Sequence, residues 1–280
     1  MVQLVTSPAK TGVSGLRRRL QRLMLVLAAV AGMANVAQAQ GIAIDATNFP
    51  DVNFRTHVKQ YDTDSDGSLG SDEIAAVKTI KVSIKNIADL KGIEHFTALT
   101  ELLCPYNQLT TLDVSANTAL TLLNCEYNQL TALDVSKNTA LKALYCYRNQ
   151  LTALDVSANT ALTKLACFSN QIQADEMLAL VNSLPTVTNG EFYVVDTQDS
   201  DEGNVITKAQ VAIAQSKGWT VYDFDLKGQT AVEYAGVEEY VLTLGIPTNG
   251  TLTATPNGSV GEGTAVIITA TPDEGYKLKP

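Results

Sequence analysis

Apolar positions recur every 21 residues through the middle of the chain. Residues 99–119, 120–140 and 141–161 are nearly identical, a fourth copy begins at Leu162 and then diverges, and a degenerate copy precedes them. In each copy a short stretch such as Leu102-Leu103-Cys104 predicts a strand whose first and third residues point inward. A single copy cannot bury these side chains, so the copies must stack. The pattern therefore predicts a solenoid with a parallel sheet and inward columns of leucines and cysteines.

Each copy carries the motif L-x-x-L-x-C-x-x-N-x-L, which is the leucine-rich-repeat pattern with Cys at one Leu position. An Asn recurs where the chain leaves the strand, and its amide can bond backbone groups of its own turn and of the next copy. These ladder residues are Asn107, Asn128, Asn149 and Asn170. Asp and Asn on the return side favour turns by bonding their own backbone; these residues are Asp113, Asp134 and Asp155, with Asn117, Asn138 and Asn159.

Over roughly residues 42–225 the chain resembles the internalin J-like cysteine-containing 21-residue repeats, and more closely the repeat proteins exported by Bacteroides-type bacteria. The resemblance implies a right-handed horseshoe used for surface attachment or recognition. It also identifies the segment before the repeats as the cap that covers the open end of the core.

The first 39 residues have the order of a secretory signal peptide. Four arginines between Arg17 and Arg22 precede the apolar run 23–31, and Ala37-Gln38-Ala39 fits a cleavage site. A membrane anchor is the alternative, but the apolar core is short for one. Cleavage removes Lys10 and the four arginines and no acid, so the net charge changes from −9 to −14. Without a Lys/Arg cluster, nucleic acid and anionic membranes are poor partners.

Residues 62–73 fit an EF-hand calcium loop position by position. The predicted Ca²⁺ ligands are Asp62, Asp64, Asp66, the Ser68 carbonyl, a water beside Gly70, and Glu73. Gly67 occupies the sharp turn, and short helices are expected at 51–61 and 71–77. The loop stands alone, so a structural ion is favoured over a signalling switch. The alternative is an acidic, solvated turn without metal.

Alternating and helical patterns continue after the repeats. Residues 174–184 and 205–217 predict helices, and 191–196 and 219–224 predict strands that close the far end of the core. Trp219 is expected to pack in this cap rather than to form a ligand platform. Strands at 237–244, 250–255 and 264–271, with turns at 247–250 and 256–258, resemble part of the β-repeat modules of internalin-like proteins. This module is expected to continue past Gly275-Tyr276, which makes it incomplete at Pro280.

The predicted fold is therefore an α/β leucine-rich-repeat solenoid with a parallel β-sheet horseshoe. Its expected parts are a signal peptide (1–39), an EF-hand-like N-terminal cap (40–78), leucine-rich repeats (79–173), an α/β C-terminal cap (174–228) and a partial β-repeat module (229–280). The four cysteines share one inward column, where parallel side chains do not present disulfide geometry. Reduced thiols are expected rather than two disulfides or a zinc site.

Solvent-facing positions of the sheet vary between copies that are otherwise almost identical, which suits recognition on a rigid scaffold. The candidate ligand-binding residues on this concave face are Tyr106, Glu126, Tyr127, Tyr145, Tyr147, Arg148 and Phe168. Ordinary exposed tyrosines are the alternative interpretation. The expected function is an exported or cell-surface binding or adhesion protein, monomeric, with a protein or glycan ligand. A structural spacer or the non-catalytic arm of a larger protein remains the alternative.

No enzymatic activity is expected. The sequence has no H-E-x-x-H, G-x-S-x-G or Walker motif, and the two histidines, His57 and His95, are expected to be structural.

Overall fold

The computed structural model describes residues 41–241, 250–255, 259–261 and 266–274. The predicted signal peptide lies outside the described residues. No helix within these ranges is long and apolar enough to cross a membrane.

Short elements precede the repeats. Strand β1 (Ile42–Ala43) pairs with β2 (Ser68–Leu69), and between them lie helix α1 (Val52–Val58) and a 3-10 turn (Lys59–Tyr61). Asp51 caps α1 by accepting hydrogen bonds from the backbone N–H groups of Asn53 and Phe54, which satisfies donors that a helix start leaves unpaired. Helix α2 (Ser71–Ala76) follows β2.

Five short parallel strands follow, one in each copy. They are β3 (Thr79–Lys81), β4 (Glu101–Leu103), β5 (Leu122–Asn124), β6 (Ala143–Tyr145) and β7 (Lys164–Ala166). A 3-10 turn (Ile93–His95) lies between β3 and β4. Each strand pairs in register with the next, so that Leu102 faces Leu123 and Leu144 faces Leu165. The 21-residue register predicted from the sequence is confirmed.

The inward columns are buried as predicted. Leu102, Leu123, Leu144 and Leu165 have no exposed surface, and neither have Cys104, Cys125, Cys146 and Cys167. All four cysteines are free thiols, and burial raises their pKa. Each thiol is therefore a small apolar group of the core rather than a reactive one.

The Asn ladder at the strand ends is also confirmed. Asn128 donates to the carbonyls of Cys104, Cys125 and Glu126, and its Oδ1 accepts from the Leu109 N–H at 3.0 Å. Asn149 repeats the pattern one copy later. Each amide thus joins two consecutive turns of the solenoid and satisfies backbone groups that have left the strand ladder.

On the return side, the three repeated aspartates each accept a hydrogen bond from the N–H two residues later, at Ser115, Ser136 and Ser157. This is the turn chemistry predicted for them. A second column, Asn117, Asn138 and Asn159, is fully buried. Each of its amides donates to two carbonyls of the preceding copy, whereas its Oδ1 has no partner.

The parallel sheet continues beyond the repeats. Helix α3 (Ala174–Ser183) leads to β8 (Gly190–Val195), and helix α4 (Lys208–Ser216) leads to β9 (Trp219–Asp225). Strand β8 pairs parallel to β7, and β9 pairs parallel to β8. Trp219 is 2 % exposed and donates its Nε1–H to the Pro185 carbonyl, so its predicted packing role is confirmed.

Strand β10 (Thr230–Glu233) pairs antiparallel with β9. Within the described residues, the sheet therefore has eight strands in the order β3 to β10. Residues 230–233, which the predicted module at 229–280 includes, extend the repeat sheet. A hairpin return after β9 could not be distinguished from the first strand of a separate module by alternation alone.

The remaining strands are β11 (Glu239–Val241), β12 (Gly250–Thr255), β13 (Ser259–Gly261) and β14 (Ile267–Pro272). β11 pairs antiparallel with β13, and β12 with β14. The predicted strand at 237–244 is described only to residue 241. The turn at 256–258, most of the turn at 247–250, and Gly275-Tyr276 lie outside the described residues.

Candidate functional site

The strand register fixes which side chains share the solvent-facing side of the sheet. Leu103, Asn124, Tyr145 and Ala166 form one row, and Tyr193 of β8 and Tyr222 of β9 continue it. The four repeats predicted the first part of this row. The continuation was missed because β8 and β9 lie outside the 21-residue period.

Aromatic rings contact one another along this side of the sheet from β4 to β9. We call this series the aromatic run: Tyr106, Tyr127, Tyr147, Phe168, Phe224, Tyr193 and Tyr222. Successive ring centroids are 4.1, 5.8, 4.3, 5.5, 5.6 and 4.9 Å apart. Rings at such distances make favourable stacked or edge-to-face contacts, so the run is a continuous series of packed rings.

Phe168 differs from its predicted exposure. Its side chain is 1 % exposed, because it stacks on Tyr147 at 4.3 Å and Phe224 packs against it at 5.5 Å. Phe168 therefore supports Tyr147 from below and offers almost no surface to a ligand. The covering residue, Phe224, comes from β9.

Arg148, a predicted ligand-binding residue, already has a partner within the chain. Its guanidinium forms an ion pair with Asp199 at 2.5 Å and lies 5.3 Å from the centre of the Tyr127 ring. Asp199 also accepts from the Ser169 hydroxyl. The arginine thus fastens the loop after β8 to the repeats, and it contributes to the aromatic run mainly by contacting Tyr127.

The backbone at the edge of the run is left-handed in successive copies. Tyr106, Tyr127 and Arg148 have φ of 55°, 51° and 52°, a conformation uncommon for residues other than glycine and asparagine. The Asn ladder that follows immediately holds this turn in place. Tyr106 and Tyr127 are consequently stacked with their ring planes 14° apart, and Tyr106 is 47 % exposed.

A pocket of about 230 Å³ opens beside Tyr147. It is lined by Asn124, Glu126, Tyr145, Tyr147, Lys164, Ala166, Phe168, Tyr193 and Phe224. Burial raises the pKa of the Glu126 carboxyl. The pKa of Tyr147 is also raised, first by burial and then by its hydrogen bond to Glu126. The pocket thus combines several aromatic walls with one partly desolvated acid.

The calcium-loop aspartates converge. Carboxylate oxygens of Asp62, Asp64 and Asp66 lie within 4.8 Å of one another. Asp62 accepts from the backbone N–H groups of Asp66 and Gly67 at 3.1 and 3.0 Å. These bonds curl the loop around its own carboxylates, and Gly67 at φ 87° makes the sharp turn.

The other predicted metal ligands are arranged differently. Glu73 lies outside the three-aspartate group, and its oxygens accept hydrogen bonds from Thr63 and from the Gly70 N–H. These bonds lower its pKa, the Thr63 hydroxyl contributing most. Ser68 donates its N–H to Asp66. Three hard oxygen donors at one point fit Ca²⁺, which prefers carboxylates and carbonyls.

Comparisons with known proteins agree with the repeat pattern. A stretch of 70 residues is 42 % identical to internalin J of Listeria monocytogenes serotype 4b. The matches support a bacterial leucine-rich-repeat protein. That stretch is 25 % of this chain and 8 % of internalin J. Residues 240–280 match the family described as "Divergent InlB B-repeat domain", which agrees with the module predicted after the repeats.

Solved structures give the same kind of likeness. The functional domain of InlJ from Listeria monocytogenes, described as including a cysteine ladder, is 31 % identical with a TM-score of 0.49. The match covers 63 % of this chain and 41 % of that one. Internalin C2 from Listeria monocytogenes is 20 % identical with a TM-score of 0.47, covering 67 % and 89 %. The fold assignment depends on the strand register rather than on these scores.

Proposed function

We propose that this chain is the recognition part of an exported or cell-surface bacterial protein, and that it binds a protein ligand on the solvent-facing side of its sheet. The observation that carries the proposal is the aromatic run, which crosses from β4 to β9 without interruption. Aromatic residues and Arg are enriched at protein interfaces, where a few of them supply most of the binding energy. The signal peptide predicted at residues 1–39 supports export.

Charged groups along the run favour a protein ligand over a glycan. Lys164 is paired with Glu191 at 2.6 Å, Arg148 is paired with Asp199, and Glu126 is half-buried beside Tyr147. Fixed charges of both signs next to aromatic rings select a partner with a complementary charge pattern. Such a pattern is typical of protein surfaces.

The experiment compares the mature chain, residues 40–280, with a double variant, Tyr145→Ala with Tyr147→Ala. Both are immobilised and titrated with purified extracellular-matrix and mucosal proteins, and both are applied to a glycan array. Exposed Lys137 on the return side provides the matched control, Lys137→Ala. We expect at least about tenfold weaker protein binding for the double variant, unchanged binding for the control, and equal far-UV circular dichroism.

Two outcomes contradict the proposal. Binding to the glycan array and to none of the proteins would show that the ligand is a glycan. Full protein binding by the double variant would remove the aromatic face as the recognition surface and favour the structural spacer.

We further propose that Ca²⁺ binds the loop at residues 62–73 as a structural ion of an EF-hand-like cap. Three converging carboxylates support this, because without a cation their like charges repel one another at these distances. The backbone of Ser68 and the side chain of Glu73 are the expected further ligands, the latter after it releases Thr63. The ion would hold α1 and α2 at the start of the repeats.

A further inference from the structure

The pocket beside Tyr147 has the composition of an aromatic cage. Tyr147 and Phe168 are stacked within 14° of parallel, and Phe224 and Tyr193 meet edge to face at 86°. Tyr145 lies on the same side and also lines the pocket. Several rings in different orientations thus line one space, and the face of an aromatic ring attracts a cation placed over it.

Glu126 gives this cage a carboxyl group that accepts from Tyr147 but has no cation among the described residues as its partner. The described residues form three ion pairs, Arg148 with Asp199, Lys164 with Glu191, and Lys208 with Glu238, and Glu126 is in none of them. A half-buried carboxylate without a cation is costly, and a ligand that supplies the cation recovers that cost.

Lys164 does not fill this role. Its ammonium bonds Glu191 at 2.6 Å and lies 5.2 Å from the centre of the Tyr193 ring. Counted together, Glu126, Lys164 and Glu191 carry one net negative charge. The whole mature chain carries −14 after the predicted cleavage, so the long-range field also attracts cations.

We propose that this pocket binds the ammonium or guanidinium group of a lysine or arginine side chain that projects from a protein ligand. The inference rests on the proposed function and identifies the side chain by which the protein ligand is anchored in the pocket. The volume of about 230 Å³ is below the range of roughly 300–1,000 Å³ typical of small-molecule sites. It suits a single side chain, with the alkyl stem against the rings and the charged end at Glu126.

The test uses small probes of defined charge. Nα-acetyl-lysine amide and Nα-acetyl-arginine amide are titrated into the mature chain and followed by ring-proton shifts in NMR. Nα-acetyl-norleucine amide is the uncharged control, and choline represents a free small cation. We expect both cationic amides to shift the Tyr145 and Tyr147 resonances, and both norleucine amide and choline to bind at least about tenfold more weakly.

Charge variants distinguish the cage from general attraction to an acidic protein. Glu126→Gln is expected to weaken lysine-amide binding about tenfold, since it removes the charge-assisted hydrogen bond. Glu176→Gln removes the same charge from an exposed position on α3 and should leave binding unchanged. Lys164→Gln removes a competing cation and should tighten binding.

Specific outcomes overturn the inference. Equal losses of lysine-amide affinity for Glu126→Gln and Glu176→Gln would show that only the net charge of the protein matters. Choline binding as tightly as lysine amide would show that the pocket takes a free small cation rather than a side chain. If no cationic probe binds while Tyr145→Ala with Tyr147→Ala still abolishes protein binding, the anchor is wrong and the proposed function stands.

Discussion

The two asparagine columns allow a differential test of what holds the solenoid together. Asn128 at the strand end and Asn138 on the return side are both buried, at 9 % and 0 % exposure. Replacing either with Ala removes the same side-chain atoms and leaves a similar cavity. The difference in the free energy of unfolding between Asn128→Ala and Asn138→Ala therefore isolates the contribution of the hydrogen bonds that the two side chains make.

The backbone groups that lose their hydrogen-bond partner in each variant set the size of that difference in free energy. The carbonyls bonded by Asn128 keep a second donor; Cys104, for example, also accepts from Asn107. The Leu109 N–H bonds only the Oδ1 of Asn128. Leaving one buried N–H unpaired costs about 1–3 kcal/mol. The Oδ1 of Asn138 has no partner to lose, so Asn128→Ala is expected to lower the free energy of unfolding by about 2 kcal/mol more.

Urea unfolding of residues 40–280, followed by circular dichroism, measures both variants beside the unmodified chain. In a thermal melt of the same proteins, the melting temperature of Asn128→Ala should fall by about 6 °C more than that of Asn138→Ala, by the usual scaling for chains of this size. Equal losses, or a larger loss for Asn138→Ala, would show that bond satisfaction at the strand ends does not decide stability.

Three further predictions follow from the cap, the core and the loop after β8. Calcium at about 10 mM should stabilise the chain by roughly 2 kcal/mol over EDTA, and Asp62→Asn should abolish the gain; identical melts would remove the site. Alkylation in denaturant without reductant should label all four cysteines, whereas two or fewer would indicate disulfides. Burial raises the pKa of Glu202 from 4.5 to about 7, so its share of stability is present below pH 4.5 and is lost as pH rises through 7. Glu202→Gln should flatten this decline in pH-dependent urea unfolding, and an unchanged slope would contradict it.

The repeat copies could be predicted from sequence because their apolar positions and their period agree with each other. Leu102 and Cys104 recur at the same offsets in the next three copies, so the inward columns follow without knowledge of any distant contact. The strand boundaries differ by one residue from the predicted stretch at 102–104, since the parallel pairing with β5 covers Glu101–Leu103. Nevertheless, the Cys104 N–H still donates to the next copy, at the Asn124 carbonyl.

One further rung of the Asn ladder was missed. Asn204 donates to the carbonyls of Cys167 and Val194, and its Oδ1 accepts from the Ile172 N–H. This is the bonding pattern of the other rungs. Asn204 comes 34 residues after Asn170 rather than 21, because the segment between them holds α3, β8 and a loop. A search by period cannot find it, whereas an accounting of the unpaired N–H at Ile172 could have.

Exposure along the candidate face could not be read from the repeats, because residues from outside them decide it. Phe168 is covered by Phe224 of β9, and Arg148 is neutralised by Asp199 of the loop after β8. Both partners lie more than 50 residues further along the chain. Their positions depend on β8 and β9 joining the parallel sheet, which no local pattern specifies.

The loop after β8 couples closure of the core to the shape of the binding face. Glu202 accepts from the backbone N–H groups of Ser169, Asp196 and Asn204, and Asp199 holds Ser169 and Arg148. The last left-handed turn of the repeats, at Ser169, is therefore buried under this loop, whereas the first two, at Ile84 and Tyr106, are exposed. Because the same few bonds cover the end of the core and hold Arg148 against Tyr127, loosening the loop should change both stability and the exposed part of the aromatic run. The recognition surface is thus a joint product of the repeats and the segment that ends them.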